Sequence, residues 1–205
     1  MRKLIATEYL TLDGVMEAPG RETSLGERGG WSFLFSSDEH SKFKFDELFA
    51  SDALLLGRVT YEIFAATWPS TEGEFADRIN SLPKYVVSTT LEKAEWNNSH
   101  LMKDAQRVVE EVLRLKQQPG QNILVYGSAD LVHMLRQHNL IDEYRFMVYP
   151  IILGIGKRLF KDGNNKTLKL VKSQTFSSGV VVLIYQSDGK NNDQTPPARS
   201  QQKEN

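Results

Sequence analysis

Leu54-Leu55-Leu56-Gly57-Arg58-Val59-Thr60-Tyr61-Glu62 is an apolar run that stops at a glycine and opens a helix. A short continuous apolar segment closed by a turn residue predicts a strand buried on both faces, here Ala53–Leu56. Ile123-Leu124-Val125-Tyr126-Gly127-Ser128-Ala129 has the same form, strand, glycine and helix start. Two buried strands that each feed a helix through a glycine predict an α/β architecture around a largely parallel sheet. Chemistry in such sheets gathers outside the carboxyl ends of the strands, where loops meet helix N-termini.

Working outward, the sequence offers further strands at Lys3–Leu12, Tyr85–Ser88 and Glu143–Leu153, and a final pair, Thr167–Thr175 and Val180–Gln186. Phe176-Ser177-Ser178-Gly179 splits that pair and predicts an antiparallel hairpin. Helical periodicity covers Asp38–Ala50, with Phe45, Leu48 and Phe49 inward, and Asp104–Gln117, with Ala105, Val108, Val109, Val112 and Leu113 on one face. A third helix follows Ser128 and buries Leu131, Val132 and Leu135. Strand and helix alternate first and strands follow alone, which predicts a mixed, mostly parallel central sheet with helices on both faces and an antiparallel edge.

The whole chain of 205 residues fits one domain, expected over residues 1–186. From Ser187 to Asn205 the composition turns polar, so residues 187–205 are expected to form a disordered tail with too little apolar surface to offset ordering. A formal charge of -1, with no basic block, argues against a nucleic-acid partner. The absence of cysteine excludes disulfides, thiolate-held metals and thiol catalysis. His40, His100, His133 and His138 never fall at metal-ligand spacing, so no metal is expected. Glu8 arrives too early for a signal peptide, and the apolar stretch Phe146–Ile155 is too short for a membrane span and holds a proline. A soluble cytoplasmic protein is the expectation.

Three strand ends carry candidate chemistry. At the first, Gly57 lets backbone approach an anion while Arg58 and Thr60 offer donors beside a helix N-terminus; the alternative is a surface arginine after a tight turn. The second ends in Ser88-Thr89-Thr90, whose hydroxyls suit either a ligand or a turn. The third, Tyr126-Gly127-Ser128-Ala129, presents small residues to a pyrophosphate, with Ser128 either capping the helix or donating to phosphate. It lacks the three spaced glycines of a dinucleotide fingerprint, and no P-loop occurs.

In this order, Leu12-Asp13-Gly14-Val15, Gly57-Arg58-Val59-Thr60-Tyr61-Glu62, Val87-Ser88-Thr89 and Val125-Tyr126-Gly127-Ser128-Ala129 resemble the dihydrofolate reductase superfold. The resemblance runs from about Lys3 to Tyr185 and is strongest to the C-terminal reductase domain of the riboflavin-biosynthesis deaminase-reductases, which Val148-Tyr149-Pro150-Ile151-Ile152-Leu153-Gly154-Ile155-Gly156-Lys157-Arg158-Leu159-Phe160 also resembles. It implies an NADPH-dependent reductase of a pteridine or aminopyrimidine-like heterocycle, working as a homodimer. It places Arg58 and Thr60 on phosphate, Ser88 and Thr89 near the 2′-phosphate and adenine, and Gly127, Ser128 and Ala129 with Tyr126 along the pyrophosphate and nicotinamide. The loop from Asp13 and Gly14 to Trp31 is then a lid over the nicotinamide.

Asp38 is the carboxylate expected to face the substrate and serve catalysis, and its rival role is a helix N-cap. Trp31, Phe33, Phe35 and Tyr9 are the expected stacking wall for a flat substrate, or else ordinary core. Lys157 and Arg158 either hold a substrate phosphate or are solvated cations on a turn. Two readings compete with the reductase. One is a non-catalytic nucleotide-binding or interaction protein on the same fold, and the other is a flavin enzyme.

Overall fold

The computed structural model describes residues 1–20, 22–160 and 166–187. In chain order the strands and helices are β1 (Leu4–Thr11), α1 (Asp38–Phe49), β2 (Ser51–Gly57), α2 (Arg58–Thr67), α3 (Glu74–Ser81), β3 (Lys84–Val87), β4 (Ser99–Met102), α4 (Ala105–Gln117), β5 (Asn122–Val125), α5 (Ala129–Gln137), β6 (Glu143–Tyr149), β7 (Leu168–Thr175) and β8 (Val181–Ser187). The strands form one eight-stranded sheet in the order β4-β3-β2-β5-β1-β6-β8-β7. Every pairing from β4 to β6 is parallel, and β8 runs antiparallel to both β6 and β7.

That order places the site. From β1 the chain builds β2, β3 and β4 outward on one side, returns to insert β5 between β2 and β1, and then sets β6 on the far side of β1. Strand order therefore reverses around β5 and β1, the position at which an open parallel sheet leaves a crevice at its carboxyl edge. Leu54, Leu55, Leu56, Ile123, Leu124 and Val125 are wholly buried there, which fixes β2 and β5 as the rigid floor under the crevice.

Each face of the sheet has its own core. Leu4, Ala6 and Leu10 of β1 pack with Val108 and Val112 of α4 and Leu131, Val132 and Leu135 of α5. On the opposite face Ile5 packs with Leu48 of α1, Tyr61 of α2 and Ile79 of α3. A third cluster joins Trp31, Met147, Tyr149, Phe176, Val180 and Val182, with Tyr9, Phe35 and Phe43 against it. The alternation of β1 residues between faces is the strand period of two made visible.

The expected strands are present with altered limits. β6 stops at Tyr149, short of Leu153, because Pro150 offers no N–H to the ladder. The hairpin closes through Phe176 N–H to Val180 O at 2.9 Å and Gly179 N–H to Phe176 O at 2.9 Å, with Gly179 in the left-handed region. β8 includes Ser187, one residue beyond the expected domain end, and the rest of the expected tail, 188–205, lies outside the described residues. β4 and α3 were not anticipated. Ser99-His100-Leu101-Met102 is a short edge strand without clean alternation, and α3 buries only Ala76 and Ile79. At α1 the N-cap is Ser37, whose hydroxyl accepts the His40 N–H at 3.2 Å, so Asp38 is the first helical residue and not the cap.

Candidate functional site

The two glycine turns meet. Gly57 N–H donates to Gly127 O at 3.1 Å, and a Cβ at Gly57 would lie 2.5 Å from Ser128 Oγ and 2.9 Å from Ser128 N. Only a residue without a side chain lets the ends of β2 and β5 approach this closely. Gly127 has φ +65°, its peptide with Ser128 is cis, and a Cβ on it would meet Thr60 Oγ1 at 3.1 Å, Met16 Cε at 3.4 Å and Glu8 Oε2 at 3.7 Å. Gly57, Thr60, Gly127, Ser128 and Ala129 are thus assembled at one point, with the N-termini of α2 and α5 opening beside it. Backbone N–H groups in the first turn of a helix are donors that favour an anion.

Arg58 is exposed at the start of α2 and holds Glu62 through Nη1 at 3.1 and 2.8 Å. Ser88 is buried at the end of β3, where its Oγ accepts Thr90 N–H at 3.2 Å and Leu91 N–H at 2.9 Å. Its oxygen is therefore engaged in a local turn, whereas Thr89 is exposed. Tyr126 lies with its ring under Lys44 Nζ at 4.5 Å and beside Phe64 at 5.8 Å, and its buried hydroxyl has no hydrogen-bond partner among the described residues. Burial raises that phenol well above its ordinary range.

The expected lid is stitched down along much of its length. Asp13 accepts the Thr11 hydroxyl at 2.6 Å, Gly154 N–H at 2.9 Å and Leu153 N–H at 3.3 Å, bonds that hold its carboxyl below the usual range. Gly14, at φ +79°, completes the turn and accepts Leu159 N–H through its carbonyl at 3.1 Å. Val15 bridges Arg158, Met16 N–H reaches Lys157 O at 2.9 Å, and Glu17 accepts Lys157 N–H at 2.7 Å. Lys157 Nζ pairs with Asp130 at 2.6 Å and Arg158 Nε donates to Asp13 O at 2.9 Å, so both cations of this turn serve the chain itself.

Trp31, Tyr9 and Phe35 gather around Tyr149 in the third core cluster. Trp31 is buried, donates its indole N–H to Glu17 O at 2.9 Å and stands edge-on to Tyr149, with ring centroids 5.1 Å apart. Tyr9 and Phe35 also contact Tyr149, at 5.3 and 6.0 Å, whereas Phe33 is exposed and takes no part. Asp38 is exposed at the first turn of α1 and is not gathered with these rings. The helix presents His40 to them instead: Nε2 lies 2.7 Å from Tyr9 Oη and 3.3 Å from Tyr149 Oη. Burial, aided by the Lys44 ammonium, pushes this imidazole down to about 4, so it is neutral at neutral pH.

The polar heart of the site was not legible as such in the sequence. Lys44 Nζ donates to Thr7 Oγ1 at 2.9 Å and pairs with Glu47, while Thr7 donates to Glu47 at 3.0 Å. Arg145 Nη1 reaches the other oxygen of Glu47 at 3.3 Å and pairs with Glu143 at 2.7 Å. Lys44 also faces the rings of Tyr9 and Tyr126, at 5.5 and 4.5 Å. On the other face of β1, Glu8 is 5% exposed and accepts Gly127 N–H at 2.7 Å. Burial pushes its carboxyl up to about 8, against the Gly127 N–H and the Lys44 charge. The available signal was two adjacent polar residues, Thr7 and Glu8, inside an apolar strand.

Among the described residues no helix is long and apolar enough to cross a membrane, and no cluster of metal-ligating side chains occurs. The chain is 34% identical over 194 residues to the uncharacterized protein YyaP of Bacillus subtilis, covering 92% of this chain and 96% of the relative. It superposes on the deaminase/reductase of Thermotoga maritima with a TM-score of 0.62 at 12% identity, over 91% of this chain and 56% of that one. A dihydrofolate reductase of Enterococcus faecalis, solved with NADP(H), gives a TM-score of 0.60 at 14% identity over 91% of this chain and 96% of that one. The family model for the RibD C-terminal domain matches residues 2–182, and the chain belongs to that family.

Proposed function

We propose that this protein is a nicotinamide-dependent reductase that prefers NADPH and reduces a C=N or C=O bond of a small heterocycle of the pteridine or aminopyrimidine class. The observation that carries the reading is the meeting of Gly57 with Gly127-Ser128 at the strand-order reversal, with Lys44 set between the ring of Tyr126 in that turn and the ring of Tyr9 in the aromatic cluster. The family is that of riboflavin-pathway reductase domains, and the Enterococcus neighbour binds NADP(H) on the same fold.

The residues fit the cofactor. Gly57, Gly127, Ser128 and Ala129 would receive the diphosphate at the start of α5, on a turn whose shape is held by Gly57 N–H on Gly127 O and Gly127 N–H on Glu8. Arg58, Thr60 and Thr89 would meet the 2′-phosphate side, the guanidinium exchanging Glu62 for phosphate. Bound there, the cofactor supplies the hydride. Trp31 and Phe35 pack against Tyr149, and Lys44, held by Thr7 and Glu47, sets a cation under the ring of Tyr9. The proton that accompanies reduction is assigned to the Tyr9–His40 pair. A homodimer in the cytoplasm belongs to the same proposal.

The test is NADPH consumption across a panel of pteridines, aminopyrimidines and carbonyl compounds. Turnover of at least one heterocycle is expected. Saturable cofactor binding with no hydride transfer to any member would establish the non-catalytic nucleotide-binding reading in its place.

A further inference from the structure

Among the described residues Glu8 has no ion-pair partner, and its carboxyl is set against a backbone amide of the candidate cofactor turn. It lies on the β1 face of Leu4, Ala6 and Leu10, among apolar neighbours. Among the described residues its hydrogen bond is to Gly127 N–H, at 2.7 Å, and its second oxygen lies close to the same glycine, near Met16 of the lid. The Gly127 amide is thereby oriented toward Glu8.

We propose that Glu8 is a positioning residue of the cofactor site, which holds the Gly127-Ser128 turn by its carboxyl group and grades dinucleotide affinity through its own state of protonation. The inference rests on the reading of that turn as the diphosphate site. Neutral Glu8 keeps the turn in shape at no electrostatic cost. Ionised Glu8 sets a full negative charge next to the glycine that faces the diphosphate, in a setting where little water screens it.

The charges that face Glu8 are few. Lys44 of α1 favours its ionised form, Glu47 of the same helix opposes it, and the phenol of Tyr126 at the end of β5 senses its charge. Burial outweighs the Lys44 charge and pushes the carboxyl up to about 8. A bound anion favours the protonated form, so affinity is full below pH 7, falls as pH rises through 8, and levels off once the carboxyl is ionised in the complex as well.

The experiment is titration of the full chain with NADPH and, separately, NADH from pH 6.5 to 9.5, followed by nicotinamide fluorescence, for the wild type, Glu8→Gln and Glu8→Leu. The diphosphate is common to both dinucleotides, so their pH dependence should match although only one carries a titrating 2′-phosphate. Wild-type affinity should fall on the order of tenfold across this range. Glu8→Gln, which still accepts the amide, should retain the neutral-pH affinity and lose the alkaline fall, and Glu8→Leu should bind weakly at every pH.

A second readout needs no cofactor: the infrared carbonyl band of a protonated carboxyl should fade near pH 8 in the wild type and be missing in Glu8→Gln. Equal pH profiles for the wild type and Glu8→Gln, or a missing band at pH 7, would overturn the proposal while leaving the reductase reading intact. Failure of the wild type to bind either dinucleotide at any pH would overturn both.

Discussion

Thr7 and Glu8 are neighbours on β1, yet the two faces they enter treat a buried carboxyl group in opposite ways. On the α1 face, Glu47 is 3% exposed and meets Lys44, Arg145 and the Thr7 hydroxyl, so its oxygens are saturated by donors. On the other face, Glu8 is 5% exposed and among the described residues meets a single backbone N–H. Similar burial with different partners leaves one carboxyl fixed between two cations and the other pushed up to about 8 by burial. The paired network ties β1, α1 and β6 together, and Glu8 lies under the turn assigned to the cofactor.

The sharpest way to break this contrast is to unbalance the fixed side. Lys44→Met leaves Glu47 with one cation fewer in a dry site, and the expected loss is about 3 kcal/mol of unfolding free energy. Urea denaturation checks it; a loss under about 1 kcal/mol would mean that the network is not the closed system described.

Neutralising the other side should do the reverse. The folded carboxyl of Glu8 titrates at about 8 against an ordinary value of 4.5, so between those values the folded state holds a proton that the unfolded state has released. Its contribution is complete below about 4.5 and is lost as pH rises through 8. Glu8→Gln should therefore match the wild type in acid and exceed it above pH 8, by on the order of 2 kcal/mol, in melting curves collected across pH. A variant that is less stable at every pH would refute the assignment.

The same contrast extends to arginines. Arg145 is tied between Glu47 and Glu143 in a largely buried setting, whereas Arg58 holds Glu62 at the surface, where such a pair is worth little and can be exchanged. Arg58→Ala should weaken NADPH about tenfold more than NADH, a difference of the size of one charge-assisted contact to phosphate. Equal weakening of both would move the 2′-phosphate elsewhere.

The smallest effect is expected at Asp38, which is exposed and outside the aromatic cluster. Asp38→Asn should leave kcat within about twofold, since the group lies on no buried path to the ring wall. A loss of more than tenfold would return the proton-handling role from His40 to Asp38.

These cases also show what a one-dimensional reading can reach. β2, β5 and both glycine turns were legible because unbroken apolar runs ending in glycine have few other uses in an α/β protein. Their convergence followed from the resemblance alone, since nothing local says that Gly57 will touch Ser128. Lys44 and Glu47 were hidden by the amphipathic rule itself. Charges between Phe43 and Leu48 look like a solvated face, and only the crossing of α1 over Thr7 shows that they pair inward. Asp38 misled for a related reason: Ser37 and Asp38 are both good capping residues, and backbone geometry, which sequence does not carry, chose the serine. His40 and Tyr149 lie 109 residues apart and became partners only through the fold.

Gly57, Thr60, Gly127 and Ser128 carry the proposed cofactor site. Its most direct test is titration of the purified protein with NADPH and NADH, following nicotinamide fluorescence or calorimetric heat at neutral pH. Saturable binding of both, tighter for NADPH, is the predicted result. Failure of either dinucleotide to bind at millimolar concentration would contradict the cofactor site and the reductase reading built on it.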